Sequence, residues 1–193
     1  MKKLITIFLL TLILSISPAE AVKYTLDSAH TTVGFSIKHM VISNVKGTFS
    51  KFTGEFELDD NNNLKDASAV ISVDSIDTNI EKRDAHLKNP DFFDAAKYPE
   101  ITFTTTSIES NGEQKYTITG NLTMHGVTKS IDLKAEILGP IKDPWGNTRT
   151  GLVAHGILNR RDFGLNYSKM LEAGGLVVGD EVTISFDGEG IRD

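Results

Sequence analysis

The 193-residue chain has no cysteine, which excludes disulfides, thiolate chemistry and cysteine-bound metals together. Its formal net charge of −6, with no basic run, argues against nucleic acid or an anionic membrane surface as a standing partner. At this length one domain with a substantial core is the expectation.

The first 21 residues read as a secretory signal. Lys2-Lys3 form a charged start, residues 4–16 are an apolar run, and Ala19-Glu20-Ala21 fits a small-x-small cleavage site. The run is about thirteen residues, where a membrane span needs about twenty. The expected product is residues 22–193, soluble in the bacterial periplasm and free of any lipidated cysteine.

From Val22 the pattern is β. Val33, Phe35, Ile37 and His39 alternate with Thr32, Gly34, Ser36 and Lys38. Phe49, then Phe52, Gly54, Phe56 and Leu58, continue the alternation. Asp59-Asp60-Asn61-Asn62-Asn63 is a turn, and Ala69, Ile71 and Val73 make the next apolar face. Residues 77–103 break the pattern. Thr78 or Asn79 is the expected cap of a two-turn helix ending near Leu87, Asn89-Pro90-Asp91 stops it, and Phe92-Phe93 and Tyr98-Pro99 follow. A charged, aromatic-bearing excursion between two halves of a β protein suggests a plug or lid over a barrel end.

Beyond it, residues 101–108 form a strand. Tyr116, Ile118, Gly120, Leu122 and Met124 share the face of the next one. His125-Gly126 turns the chain into Ile131, Leu133, Ala135 and Ile137. Asp143-Pro144-Trp145-Gly146-Asn147 is a turn, residues 151–158 a strand, and Asn159-Arg160-Arg161-Asp162 a polar break. Residues 172–175 read as loop, and Val182, Ile184 and Phe186 face one way in the last strand. About eight strands with short turns and no long helix predict an antiparallel barrel or sandwich. A barrel of that strand number either fills its interior or holds one small ligand.

Motifs for catalysis are missing. The five histidines, His30, His39, His86, His125 and His155, stand in neither HxH nor HExxH form, so neither metal nor cofactor is expected. No G-x-S-x-G elbow and no glycine-rich phosphate loop opens a helix. Arg83, Asp84, Arg160, Arg161 and Asp162 read either as salt-bridged lid residues or as receivers of a polar head group, for which arginine's fork suits phosphate or carboxylate.

The combination RDAHLK…DFFD…YP, then LTMHGVTK, then NRRDFG closely resembles the YceI-like family, over essentially all of residues 22–193. The resemblance implies an all-β, extended lipocalin-like antiparallel barrel whose apolar tunnel takes one long-chain amphiphile: a polyisoprenoid, an isoprenoid quinone or a prenyl phosphate. His30, Phe35, His39, Arg83, His86, Phe92, Phe93, His125, Gly126, Arg161, Phe163 and Gly164 match the family pattern. One departure is Asn166-Tyr167, where many relatives carry tryptophan. The expected tunnel is therefore lined by Phe35, Ile37, His39, Phe49, Phe56, Phe92, Phe93, Phe103, Tyr116, Ile157, Phe163 and Tyr167, with Arg83, His86 and Arg161 near the head group. The expected partners are the lipid, a transient membrane contact and, through open β edges, a second copy of the chain. The alternatives are an enzyme acting on lipid head groups through His39, His86 and Arg161, or a stress-protective protein with a filled interior.

Overall fold

The computed structural model describes residues 21–170 and 176–193. The expected leader and the loop at 172–175 lie outside them.

The alternating segments become strands β1 (Val22–Leu26), β2 (Thr32–His39), β3 (Ser43–Phe49), β4 (Phe52–Leu58), β5 (Leu64–Ser72) and β6 (Ile76–Asp77). After the helix α1 (Glu81–Lys88) come β7 (Glu100–Gly112), β8 (Lys115–Met124), β9 (Val127–Lys142), β10 (Thr148–Asn159) and β11 (Val178–Arg192). Every pairing is antiparallel. The sheet closes because β11 pairs with β2 through Asp187 and then with β1 from Gly190 onward. β1 with β2 and β3 with β4 act as two long strands, each broken once, so the barrel has eight staves. Closure removes most of the open edges that pairing with a second copy would need. Beyond its pairing with β6 at Thr48 and Phe49, the outer edge of β3 has no strand beside it among the described residues. The excursion lies there instead: a Cβ added at Gly47 would sit 2.8 Å from Thr78 Cγ2 and 2.5 Å from the Phe35 ring. Glycine at 47 is what lets ring and excursion come that close.

The helix starts differently from the expectation. Its N-cap is Ile80, which offers no side-chain acceptor. Asp84 does the work from inside the first turn, accepting the Thr78 backbone N–H at 2.9 Å and the Thr78 hydroxyl. Thr78 is thereby 2 % exposed, the anchor of the excursion rather than its cap.

Two apolar clusters stack along the barrel. At the end reached by the β4–β5 and β7–β8 turns, Tyr24, Phe56, Leu58, Tyr116, Ile118, Ile137 and Leu152 fill the interior. Tyr24 and Phe56 stack with ring centroids 5.2 Å apart. At the other end Val33, Phe49, Ile101, Leu122, Met124, Leu158 and Phe163 pack with Val73, Ile76 and Ala95 of the excursion's approaches. Phe103 and Phe186 touch both clusters.

The filled end is tied by Arg149. Its Nε donates to Asp143 at 2.8 Å, and its Nη1 to Asp27 at 2.7 Å and Glu189 at 3.1 Å. The Arg149 hydrogen bond, helped by His30, lowers the Asp27 pKa from 3.8 to about 2, and the same guanidinium holds Asp143 well below the usual carboxylate range. A depressed folded-state pKa gives stability that is complete above the unfolded value and lost as pH falls through the folded one. Urea unfolding is expected to show about 2 kcal/mol lost from Asp27 alone between pH 4 and pH 2. Arg149→Met is expected to flatten that acid slope; an unchanged slope would contradict the linkage.

Candidate ligand cavity

Between the two clusters lies a cavity of about 330 Å³. Its wall is apolar: Ile37, Val45, Ile101, Ile118, Leu122, Leu133, Leu152, Leu158 and Ile184 contribute, with Phe103 and Phe186 at the waist. A water needs two to four polar partners to occupy such a space, and these side chains supply none. Left empty, such a space also forfeits the dispersion contacts its apolar lining would otherwise make. The volume also falls at the lower end of the roughly 300–1,000 Å³ typical of ligand pockets.

One rim of this cavity is polar and aromatic. Under it Phe35 and Phe49 lie with centroids 5.9 Å apart, and Phe93 meets Phe49 edge-on at 6.2 Å. Above them His86, Phe92 and Tyr167 form a trio, with His86 5.1 Å from Phe92 and 5.0 Å from Tyr167, and Phe92 4.7 Å from Tyr167. Tyr167 thus holds the lid to the segment after β10. A second tie fixes the neighbouring turn: His125 Nδ1 donates to the Phe163 carbonyl at 3.0 Å, and Tyr98 packs on His125 at 4.8 Å.

The rim's polar side chains are Lys38, His39, Arg83, His86 and Arg160. Glu55 also borders the cavity, but its carboxylate is bound to Lys23. Arg83 gives Nε to Thr78 Oγ1 at 2.7 Å and Nη2 to the Thr78 carbonyl at 2.6 Å. No partner for its Nη1 exists among the described residues, so one guanidinium nitrogen remains for an acceptor at the mouth. His86 Nε2 is 3.2 Å from Asp91.

Ten of the fifteen expected site residues border the cavity: Phe35, Ile37, His39, Phe49, Phe92, Phe93, Phe103 and Tyr167, with Arg83 and His86 at the rim. The other five need correction. Ile157 points outward and is 68 % exposed; Leu158 and Ala154 face inward from the same strand. Phe56, Tyr116 and Phe163 are inward but packed solid in the two clusters, away from the open space. Arg161 lies at the surface, its Nε on Asp180 at 2.7 Å, while Arg160 beside it is the buried one. His39, His86 and Arg161 therefore do not assemble around the cavity as a catalytic group. Leu122, Met124, Ile184 and Phe186, whose alternation is visible in the sequence, border the cavity as well, as does Arg160, read from the sequence as a salt-bridged lid residue or a head-group receiver.

A closed eight-stranded antiparallel barrel with an apolar cavity beneath a short lid belongs to the lipocalin-like class of small-ligand barrels. Residues 24–190 match the YceI-like domain, and the chain belongs to that family. It is 40 % identical over 167 residues to protein YceI of Escherichia coli O157:H7, covering 85 % of this chain and 87 % of that one. The crystal structure of Campylobacter jejuni YceI superposes with a TM-score of 0.71 at 37 % identity, covering 88 % and 98 % of the two chains. A Saccharophagus degradans structure described as a polyisoprenoid binding domain shares the fold, with a TM-score of 0.64 at 18 % identity over 88 % and 98 %.

Proposed function

We propose that this protein is a non-catalytic carrier for one long-chain amphiphilic lipid, a polyisoprenoid, isoprenoid quinone or prenyl phosphate, exchanged in the periplasm. The observation that carries the reading is the 330 Å³ apolar cavity under a cationic rim. The tail threads between Phe35, Phe103 and Ile184, and the head group meets Arg83 at the mouth. The S. degradans neighbour's description as a polyisoprenoid binding domain supports the same ligand class. Each buried methylene contributes about 0.8 kcal/mol. Ordering of the tail and its extraction from a membrane offset most of that gain, so moderate affinity suits a protein that must release its cargo.

Native mass spectrometry of gently purified protein is expected to show the added mass of one lipid, lost on solvent extraction. An apo mass together with no uptake of a prenyl lipid from vesicles would sink the proposal. Arg83→Gln is expected to weaken a prenyl phosphate about tenfold, because a charge-assisted hydrogen bond is worth about 1.5–3 kcal/mol in a partly dry site. The matching prenyl alcohol is expected to change much less. Equal loss for both would remove Arg83 from the head-group site.

A further inference from the structure

The turn between β2 and β3 is built against local preference. Met40 has φ +51° and Val41 φ +65°, and the Ile42 N–H donates to the His39 carbonyl at 3.2 Å. Two consecutive positive φ values are those of a type I′ turn, where asparagine and glycine are favoured and a β-branched residue is an outlier. The side chains held there are also apolar and unburied: Met40 is 40 %, Val41 66 % and Ile42 84 % exposed. Nearby, the Met40 N–H donates to the Val177 carbonyl at 2.9 Å, and Met170, paired to Leu176, is 73 % exposed. Strain combined with exposure at one tip has no account in folding.

We infer that this tip inserts into the surface of an anionic lipid bilayer and seats the cavity mouth on it. The inference rests on the carrier reading, since a cargo drawn from a bilayer has to cross at a contact. Three observations favour a bilayer as occupant. The tip is continuous with the mouth: His39 and Val178, which pair with each other, both border the cavity. The charge is complementary, because the chain is acidic overall yet carries no Asp or Glu from Ser28 to Gly54. Lys38 and Lys46 flank the tip and Lys169 adjoins Met170, all exposed and none in an ion pair among the described residues. Of the acids of the excursion, Asp77, Asp84 and Asp91 are engaged with the Asn79 N–H, Thr78 and His86, and Glu81, Asp94 and Glu100 complete the set. The shape also decides. A three-residue convex tip offers far less than the roughly 800 Å² per partner of a stable protein interface, whereas a few apolar side chains beside lysines suffice for reversible interfacial binding.

The test uses the protein with vesicles of phosphatidylethanolamine containing a minority of phosphatidylglycerol, read by sedimentation and by transfer of a fluorescent prenyl lipid. The double variant Val41→Asp, Ile42→Asp is expected to lower partitioning and transfer rate at least tenfold. Affinity for a short-chain, water-soluble prenyl analogue should stay unchanged. A second variant, Met40→Asn with Val41→Gly, relaxes the turn toward its preferred residues, so loss of partitioning there cannot be ascribed to unfolding. Wild-type partitioning is expected to fall as salt is raised, as screening of the lysines requires. Equal partitioning of wild type and variants would overturn the inference. So would a self-association abolished by the variants without any vesicle binding, which would make the tip a contact between copies. Failure of every form to take up even the soluble analogue would instead count against the carrier reading.

Discussion

Ala154→Phe is expected to weaken binding of the lipid tail roughly 100-fold while the barrel stays folded. Ala154 is 5 % exposed on β10, borders the cavity, and faces inward between Ala135 of β9 and Phe186 of β11. A ring added there enters open space at the waist. The overpacking cost of about 1–3 kcal/mol that follows insertion into a filled core is accordingly offset by the void it removes. The tail loses that space. Displacing four methylenes at about 0.8 kcal/mol each weakens binding by about 3 kcal/mol, or roughly 100-fold. Titration with a prenyl lipid reads the loss, and urea unfolding of the lipid-free protein should give an unchanged or raised midpoint. A variant that binds as the parent does would place the tail elsewhere.

Arg160→Met is expected to cost about 3–5 kcal/mol of stability, because it removes one side of a buried charged network. Arg160 is 3 % exposed and sits at the start of the 3-10 turn Arg160–Phe163 that follows β10. Its guanidinium donates to the carbonyls of Leu165 and Gly179, to that of Val178 at 3.4 Å, and to Asp180 at 3.1 Å. It therefore staples that turn to the entrance of β11. Methionine keeps the stem and strands the acceptors. Lysine restores a charge but not the fork, so Arg160→Lys is expected to recover little. Arg161→Ala, which removes an exposed partner of the same Asp180, should cost less than about 1 kcal/mol. Urea unfolding of the three variants separates these outcomes, and equal losses at 160 and 161 would refute the assignment.

The contrast between these two arginines shows where sequence reading ends. Alternation with a period of two located most strands and their inward faces, because a strand sends successive side chains to opposite sides whatever surrounds it. That is why Val33, Phe35 and Ile37, or Ile118, Leu122 and Met124, were legible at once. The excursion was legible too, since Pro90 and the paired Phe92-Phe93 fit no strand. Residues 151–158 defeated the same rule: GLVAHGIL is apolar on both parities, so choosing Ile157 over Leu158 had no local basis.

Depth along the barrel was also out of reach. Phe56, Tyr116 and Phe103 share an inward face, yet only Phe103 meets the cavity, because the closure of β11 on β1 packs the first two into the filled end. Which of Arg160 and Arg161 is buried depends on the turn and on β11 arriving beside it from nineteen or twenty residues away. The chain by itself determined most strand faces, an antiparallel barrel or sandwich and the excursion between its halves, all of which follow from local periodicity and its interruptions, while the choice of barrel followed from the family resemblance. Only the tertiary structure decided which inward residues surround empty space and which arginine is a staple, because cavities and buried networks are made by contacts between distant strands.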